Sequence, residues 1–273
     1  MPEVQTIATI LRQGSREQPS LLGKQIVAAR VFWERSLAQP EAAEFARRIV
    51  GQRVEDVTRR GTFIVITLSN DYLLFHLRMS GDLMVEREAA PMLPHHRLAL
   101  LLEGGWRLAF NDPRKFGRAW LVRDAQLVLS ELGPEPLDEQ LTPNELFDRL
   151  QKRRRRLKPL LMDQSFLAGI GNIYADEILH AARLHPLRLS DSLTYTEAER
   201  LLFRKNLYLS RSGIANGLHA FVLEKQGKSS SAMKYWLTCF GKLPLGVDIE
   251  SMRKFIEIFV DKLEATQPMR SQE

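Results

Sequence analysis

The second and third residues, Pro2 and Glu3, have the chemical types that covalent catalysis at a chain terminus needs. When proline follows the initiator methionine, the methionine is normally removed, and the secondary amine of proline becomes the N-terminus. An α-amino group titrates near about pH 8, against roughly 10.4 for lysine, so much more of it is uncharged at neutral pH. Such an amine can attack an aldehyde-like carbon to form an iminium ion, while Glu3 supplies a proton to the leaving oxygen. The pair alone is weak evidence, because many chains begin with these residues without any catalytic role.

Two further segments carry residues that suit contact with a distorted nucleic-acid duplex. HLRMSGDL (76–83) ends a predicted strand at Met79, and NDPRKFGRAWLV (111–122) presents Arg114 and Phe116 on an Asp-Pro turn. A protein that bends a duplex and pushes a base out of its stack needs a flexible apolar group, a cation and an aromatic ring of this kind. The alternative is that the methionine and the phenylalanine pack in the core beside a hairpin.

A run of five cations at 152–156 lies shortly before a glycine-rich turn that opens a helix. The turn is Gly-Ile-Gly-Asn at 169–172, and NIYADEILHAARL then has apolar residues at helical spacing. Glycine lets the backbone approach a ligand closely, and the N-terminus of a helix favours negative charge. Five adjacent cations are usually a solvated face, but their position before this turn predicts a surface that follows a phosphate backbone.

The composition of the 273 residues fits a basic protein with room for two modest domains. The formal net charge of +6 suits a polyanionic partner about as well as it suits an ordinary basic enzyme. The single cysteine, Cys239, excludes a disulfide framework and a zinc site built mainly from cysteines. No apolar stretch reaches the length of a membrane span, and the first residues lack the pattern of a signal peptide. These features predict a soluble cytoplasmic protein with no membrane partner.

The first half of the chain has the pattern of a β-rich domain. Apolar residues fall on one helical face near the start, at Val4, Ile7, Ile10 and Leu11. Strand-like runs then follow at the spacing of a sandwich or barrel: QIVAARVF, RVEDVTRRGTFIVITL, YLLFHLRMSGDLMV, HRLALLLEGG, WRLAFND and GRAWLV. The segment EAAEFARRIV, between the first two runs, has the spacing of a helix.

The second half changes to helical periodicity. ELGPEPLDEQLTPNE concentrates proline, glycine and acids, as linkers do. TPNELFDRLQKRR then places threonine at an N-cap and proline at the first helical position, and helical spacing recurs in YTEAERLLFRKNLYLSR and DIESMRKFIEIFVDKLE. We therefore predict an α+β protein. Its β-sandwich spans 1–133 with a helix carrying the N-terminus, its linker spans 134–142, and its helical domain spans 143–273, with a cleft between the domains.

The sequence resembles the formamidopyrimidine-DNA glycosylase and endonuclease VIII family, which excises oxidised bases from DNA. The matching motifs occur in family order over about residues 1–245: PEVQTI, HLRMSG, NDPRKFG, LGPEPL and LKPLLMDQSFLAGIGNIYADEILHAARLHPLR. The resemblance implies a helix-two-turn-helix element in the helical domain. The valine in PEV is typical of the formamidopyrimidine branch of the family rather than the endonuclease VIII branch. The formamidopyrimidine branch removes oxidised purines such as 8-oxoguanine and formamidopyrimidines.

The resemblance also implies roles for single residues. Asn172 at the helix start, Lys158 and His76 correspond to residues that contact DNA phosphates. Three others correspond to residues that fill the gap left by the flipped nucleotide: Met79, Arg114 and Phe116. Glu177 is expected to be a structural partner within the helix pair rather than a catalytic acid.

The implied reaction begins at Pro2, whose amine attacks C1′ of the everted nucleotide while Glu3 protonates the sugar ring oxygen. The base leaves, the iminium acidifies the C2′ hydrogen, and β and δ eliminations cut the strand without a metal or redox cofactor. The expected partner is double-stranded DNA that contains oxidised bases or abasic sites. The protein is expected to act as a monomer at the nucleoid of a bacterium.

Three features depart from the family pattern. The family begins Pro-Glu-Leu-Pro-Glu-Val, whereas here Pro2 and Glu3 directly precede Val4, a difference of three residues or about 4.5 Å along a helix. The pair therefore corresponds either to the first Pro-Glu of the family or to its second, brought to the terminus by a deletion. Thr62, in RRGTFIVITL, replaces a family lysine that positions phosphate and supports catalysis, and threonine has neither the charge nor the reach of lysine. After Lys242 the tail has no further cysteine, so the family's four-cysteine zinc finger, and with it the zinc, is expected to be absent.

These departures predict weakened base excision. The leading hypothesis is a bifunctional DNA glycosylase and abasic-site lyase for oxidised purines. The alternatives are a glycosylase for oxidised pyrimidines and a catalytically impaired protein that binds damaged DNA. An unrelated helix-two-turn-helix DNA binder is disfavoured because the front half of the chain also matches the family.

Overall fold

The computed structural model describes residues 2–136, 138, 140–203 and 205. From Glu3 onward these residues belong to one compact unit, in which a β-rich part precedes a helical part. None of the helices in this described part of the chain combines the length and the apolar character that crossing a lipid bilayer requires.

The β-rich part consists of two sheets. The four-stranded sheet contains, in spatial order, β1 (Ile26–Val31), β7 (His96–Leu102), β8 (Trp106–Asn111) and β6 (Asp82–Arg87). The five-stranded sheet contains β2 (Leu37–Gln39), β9 (Arg118–Val122), β5 (Tyr72–His76), β4 (Phe63–Leu68) and β3 (Val54–Arg60). Neighbouring strands are antiparallel, except that β2 pairs with β9 in parallel.

The hydrophobic core lies between these two sheets. Phe75 of β5 and Phe110 of β8 are both buried, with ring centroids 5.3 Å apart. Ile64 and Ile66 of β4 belong to the same core, whereas Val65 between them packs on the other face, near the short helix α3 (Gln126–Leu129). Successive side chains of a strand point to opposite faces, which produces this alternation. The predicted α+β fold with an N-terminal β-sandwich is confirmed.

Two helices accompany the sandwich. In α1 (Pro2–Gln13), Val4, Ile7 and Leu11 are buried and Ile10 is half-buried, so the predicted apolar face exists. Burying side chains of this size stabilises a fold by roughly 1.5–3 kcal/mol each, which holds the helix against the core. The other helix, α2 (Ala42–Ile49), forms in the segment where the sequence predicts it.

Two of the predicted strand runs are each divided by a turn. RVEDVTRRGTFIVITL forms the hairpin of β3 and β4. YLLFHLRMSGDLMV forms β5 and β6, which belong to different sheets, so the prediction that a strand ends at Met79 is wrong. The strand ends at His76 because Arg78 has a φ of 56° and the Gly81 N–H donates to the Leu77 carbonyl over 2.9 Å. A side chain at Gly81 would lie 2.5 Å from that carbonyl oxygen, so the turn needs glycine there.

The helical part contains α4 (Pro143–Gln151), α5 (Leu157–Leu161) and α6 (Asn172–Ala182), and residues 195–203 are also helical. The predicted cap of α4 is confirmed, because Thr142 Oγ1 accepts the Glu145 N–H over 3.2 Å. The sequence predicts α6 but not α5, which has only five residues. The tail helix predicted from DIESMRKFIEIFVDKLE lies outside the described residues, and the division at 134–142 stays a prediction.

Candidate nucleic-acid interface

Thr62 and His76 meet where the turn between β3 and β4 lies beside the end of β5. Phe63 pairs in register with His76, so the antiparallel strands bring these side chains together. Thr62 Oγ1 lies 2.9 Å from His76 Nε2, and the rings of His76 and Phe63 pack edge-on with centroids 4.8 Å apart. Two residues that the sequence predicts to act at DNA are therefore hydrogen-bonded to each other.

The hydrogen bonds of His76 define its protonation state. The Arg78 N–H donates to His76 Nδ1 over 3.1 Å, so Nδ1 is an acceptor and Nε2 carries the proton. Nε2–H then donates to Thr62 Oγ1, and the threonine hydroxyl hydrogen is left to donate elsewhere. Burial, together with the charge of Arg78, lowers the pKa of His76 to about 4, so the ring is neutral at pH 7.

The residues predicted to fill the gap left by a flipped nucleotide are called the wedge residues here, and they lie on two loops of the β-rich part. Met79 lies on one loop, and Arg114 and Phe116 lie on the other. Met79 is 75% exposed and Phe116 is 52% exposed, so the interpretation of both as core residues is wrong. Arg114 lies over the Phe116 ring, with its Cζ atom 5.1 Å from the ring centroid. An exposed methionine on one loop and an exposed cation–aromatic pair on the other have the residue types and the accessibility of a wedge.

Asp112 ties the two wedge loops together. Its Oδ1 accepts the Ser80 hydroxyl of one loop over 2.6 Å, and its Oδ2 accepts the Gly117 N–H of the other loop over 2.7 Å. Burial alone would raise the pKa of Asp112, but these hydrogen bonds and others from its own loop hold it below the usual value. The sequence assigns Asp112 no role of its own beyond the Asp-Pro turn, although an aspartate that opens a turn commonly binds the following backbone N–H groups.

Gln164 holds the glycine turn before α6. Its Oε1 accepts the Gly169 N–H over 2.7 Å, and its Nε2 donates to the Ile170 carbonyl over 3.0 Å. The helix begins at Asn172 as predicted, after Gly171, whose φ of −107° suits any residue. A Cβ at Gly171 would meet no atom of the described chain within 4 Å. Gly171 is the N-cap of α6, a position where glycine is common, and its open side also leaves room for a ligand to approach the start of the helix.

Lys158 of α5 reaches across to α6, where its Nζ lies 2.8 Å from the carboxylate of Asp176. Asp176 lies one helical turn beyond Asn172 and is exposed. An exposed pair of this kind contributes roughly 0–1 kcal/mol to stability. A phosphate arriving at Lys158 would therefore compete with Asp176 at little cost to the fold.

The five cations at 152–156 are all exposed. Arg154 lies 3.8 Å from Asp191, and Arg155 forms an ion pair with Asp163. The run is thus a solvent-facing surface next to α5, which is compatible with the predicted contact to a phosphate backbone.

Glu135, in the predicted linker, fastens the β3–β4 turn to the helical part. Its carboxylate accepts hydrogen bonds from the guanidinium groups of Arg59 and Arg60 and, over 2.6 Å, from the Gly61 N–H. Burial alone would raise the pKa of Glu135, but Arg59 and these hydrogen bonds hold it below the ordinary value. A Cβ at Gly61 would lie 3.3 Å from that of Ala168. The β3–β4 turn therefore packs against the residue that directly precedes the glycine turn of α6.

Pro2 and Glu3 are the first residues of α1. Further along this helix, Gln5 Oε1 accepts the Arg59 Nε–H over 2.9 Å, and Arg59 also binds Glu135. The helix that carries the N-terminus is therefore tied to the same β3–β4 turn as the helical part.

Two family models match the chain. They describe the Formamidopyrimidine-DNA glycosylase N-terminal domain, over residues 1–119, and the Formamidopyrimidine-DNA glycosylase H2TH domain, over residues 132–217. The chain belongs to the formamidopyrimidine-DNA glycosylase family. It is 39% identical over 215 residues to the Formamidopyrimidine-DNA glycosylase of Protochlamydia amoebophila, covering 78% of this chain and 76% of that one. It is 42% identical over 220 residues to that of Chloroflexus aggregans, covering 79% and 77%.

Solved structures of this glycosylase family have the same fold. One is the Fpg of Lactococcus lactis in complex with a FAPY-dG containing DNA, with a TM-score of 0.71, 27% identity, and coverage of 79% of this chain and 80% of that one. Another is Fpg of the same organism with DNA containing an abasic site, with a TM-score of 0.70, 26% identity, and coverage of 78% and 77%. The chain is accordingly an enzyme of a base-excision-repair glycosylase and abasic-site lyase family.

The residues of this chain cannot supply the four-cysteine zinc finger that the resemblance to the glycosylase family implies. Four cysteines would hold the metal, and the chain has only Cys239. Cys239 and the tail around it lie outside the described residues. Within residues 2–136, 138, 140–203 and 205, no group of three histidine, cysteine or acidic side chains is placed to hold a metal ion.

Proposed function

We propose that this glycosylase removes oxidised purines, such as 8-oxoguanine and formamidopyrimidines, from double-stranded DNA and then cuts the strand at the resulting abasic site. The supporting observation is a series of contacts that joins the candidate residues. The β3–β4 turn, where Thr62 is hydrogen-bonded to His76, packs at Gly61 against Ala168, and Asp112 joins the two wedge loops. Such an arrangement suits a duplex held by its phosphates on both sides of an extruded nucleotide.

The proposed chemistry starts with the amine of Pro2, which attacks C1′ while Glu3 protonates the ring oxygen of the sugar. The C1′–base bond breaks and the base departs with the proton that the amine gives up. The C1′–O4′ bond also breaks, which opens the sugar ring as Glu3 protonates O4′, and an iminium ion remains at C1′. Loss of the C2′ proton then drives β elimination of the 3′ phosphate, and δ elimination releases the 5′ phosphate. No metal or redox cofactor takes part in these steps.

The other candidate residues would bind and orient the duplex. Asn172, at the start of α6, and Lys158 would hold phosphates, the latter after exchanging Asp176 for the DNA. Neutral His76 would orient the Thr62 hydroxyl as a donor toward a phosphate oxygen. Met79 and its partner loop would occupy the space of the extruded nucleotide.

Borohydride trapping on a duplex with an abasic site tests the covalent step. We expect a stable protein–DNA adduct in the wild type that mass spectrometry of the digested adduct locates on the Pro2 nitrogen, with Glu3→Gln as a variant that leaves the amine in place. Pro2→Gly should give less adduct, although its primary amine is also a nucleophile. A trapped adduct located on any residue other than Pro2 in the wild type would overturn the assignment of the nucleophile. Comparison of 8-oxoguanine and thymine-glycol duplexes tests the substrate class, since faster release of thymine glycol would favour the alternative of an oxidised-pyrimidine glycosylase.

A second candidate function is the binding of damaged DNA without base excision. The observation in its favour is Thr62, which supplies a hydroxyl where the family has a lysine. Tight binding of an abasic-site duplex by the wild type, without any trapped adduct and without base release, would support it over the first.

The proposed setting is the bacterial nucleoid, where the protein would act as a monomer. Sedimentation of the free protein and of its complex with a short duplex tests this oligomeric state. A monomer should give a complex of one protein with one duplex.

A further inference from the structure

The loop that carries Arg114 and Phe116 also carries a second cation–aromatic pair. Lys115 Nζ lies 4.1 Å from the centroid of the Trp33 ring, closer than Arg114 Cζ lies to the ring of Phe116. Trp33 precedes the short 3₁₀ turn Glu34–Ser36, which leads into β2. The resemblance to the glycosylase family assigns no role to either member of this pair.

Trp33 is held in place by the same residue that holds the loop of Lys115. The N–H groups of Phe32 and Trp33 both donate to the Arg97 carbonyl, over 2.9 and 3.2 Å. The buried guanidinium of Arg97 donates to the Asp112 carbonyl over 2.8 Å, at the start of the loop. One buried arginine therefore holds the backbones of the two segments that carry Trp33 and Lys115 close together.

Lys115 has a φ of 61°, a left-handed conformation that residues other than glycine rarely adopt. Backbone strain of this kind persists only where surrounding contacts maintain it, and it is found disproportionately at ligand-binding sites. Here the Lys115 N–H donates to the Asp112 carbonyl over 3.3 Å. Two successive side chains of the loop thus lie over two different rings, Arg114 over Phe116 and Lys115 over Trp33.

The surroundings of this pair are aromatic and mainly cationic. Phe32, next to Trp33, is 47% exposed, and Arg35 lies with its Cζ 5.8 Å from the indole centroid. Glu34 contributes one negative charge to the same turn. Aromatic rings flanked by cations are the combination that proteins use to stack on free bases and to hold the adjoining phosphates.

We propose that Trp33 and Lys115 form an accessory DNA contact beside the wedge, in which Lys115 leaves the indole to pair with a backbone phosphate and Trp33 stacks on an unstacked base. This inference rests on the proposed function, because it requires that the loop at 112–117 enters damaged DNA. Its ligand is a nucleotide whose base face is free, next to the position that the wedge occupies. An intact duplex, whose bases are stacked, offers Lys115 a phosphate but offers Trp33 no ring.

The test compares Kd values, measured by fluorescence anisotropy at several salt concentrations, for an abasic-site duplex and an undamaged duplex. Trp33→Leu should weaken binding of the abasic-site duplex by roughly 5- to 100-fold and binding of the undamaged duplex much less, since stacking on a free base contributes on this scale. Trp33→Phe, which keeps an aromatic ring, should retain most of the affinity. It should also remove part of the tryptophan fluorescence quenching that DNA causes in the wild type.

Lys115→Gln should lower the slope of log Kd against log salt by about one for both duplexes, whereas Lys115→Arg should keep the slope. The proposal is overturned if Trp33→Leu and Lys115→Gln, shown to be folded by near-ultraviolet circular dichroism, bind both duplexes as the wild type does. Arg114→Ala separates this result from failure of the proposed function. If the wild type prefers the abasic-site duplex and Arg114→Ala loses that preference, only the accessory contact has failed. If the wild type shows no preference, the proposed function itself fails, and the accessory contact with it.

Discussion

Thr62 Oγ1 and His76 Nε2 lie 2.9 Å apart, at the position where the resemblance to the glycosylase family implies a lysine. A neutral histidine that donates to a hydroxyl makes a well-oriented but uncharged donor pair. A lysine would bring a full positive charge, and hydrogen bonds from ionised donors are about twice as strong as neutral ones. In the proposed function, threonine at this position therefore offers a phosphate a single oriented hydroxyl in place of a full positive charge.

Thr62→Lys should raise the single-turnover rate of 8-oxoguanine excision by about tenfold, which corresponds to about 1.4 kcal/mol of transition-state stabilisation. The side chain at this position is half-exposed, so a longer residue can extend toward solvent. Thr62→Met is the matched control, because it adds length without charge and should not raise the rate. An excision rate that stays equal or falls in Thr62→Lys, with abasic-site binding intact, would contradict this account of the position.

The low pKa of His76 predicts a pH dependence of stability. Unfolded histidine binds a proton near about pH 6.5, whereas folded His76 does so only near pH 4, so the unfolded state binds more protons between these values. The contribution is complete above about pH 6.5 and is lost as the pH falls toward 4. At pH 5, about 1.5 units below the pKa of the unfolded histidine, the free energy of unfolding is lower by about 2 kcal/mol, because each unit corresponds to about 1.36 kcal/mol.

Urea unfolding at pH 7.5 and pH 5 measures this contribution in the wild type and in His76→Gln. Both proteins lose stability from shared carboxylates such as Glu135 and Asp112, whose pKa values lie below their usual range. The wild type should lose about 2 kcal/mol more than the variant between the two pH values. Equal losses in the two proteins would show that His76 titrates normally in the folded state.

Much of the fold follows from local sequence patterns. The buried face of α1 and the cap of α4 at Thr142 are local features, encoded within a few neighbouring residues. The separation of β5 from β6 is not, because an alternating pattern shows which faces are apolar but not which sheet a strand joins. The run is divided at Arg78, which has a left-handed conformation although it is not glycine, so the sequence does not indicate a turn at this residue.

The candidate site shows the same limit. Motifs identify the residues expected at the DNA, but the residues that position them act over long sequence distances. Glu135 binds Arg59 across 76 positions, and Asp112 binds Ser80 across 32. Periodicity and spacing are local signals, so only the folded chain shows that a linker glutamate fixes a distant turn.

The hydrogen bond from Ser80 to Asp112 predicts that the two wedge loops act together. Ser80→Ala removes one donor to a carboxylate, an interaction worth about 1.5–3 kcal/mol, and Ser80→Thr keeps it. We expect Ser80→Ala to slow extrusion of the damaged nucleotide by about tenfold, with little change in binding of undamaged DNA. Stopped-flow fluorescence of 2-aminopurine next to the lesion measures extrusion. Wild-type extrusion kinetics in Ser80→Ala would mean that Met79 and Phe116 work independently of this link.

The ion pair between Lys158 and Asp176 predicts that, in the free protein, Asp176 restrains the lysine that would bind a DNA phosphate. Asp176→Asn should tighten binding of an abasic-site duplex by about three- to tenfold at low salt, because Lys158 then needs no partner exchange. Lys158→Gln should weaken binding and lower the salt slope by about one. Filter binding or anisotropy at several salt concentrations measures both effects.

The double variant of Lys158 and Asp176 decides whether the acid acts through the lysine. If it does, Asp176→Asn should have little effect in the Lys158→Gln background, since coupled neighbours are not additive. Glu177→Gln is the matched control, because it removes the same charge from the next position of α6, where the pair with Lys158 is untouched. If Asp176→Asn and Glu177→Gln tighten binding equally, or if Asp176→Asn tightens it equally in both backgrounds, the effect comes from the change in overall charge. Asp176 would then not restrain Lys158.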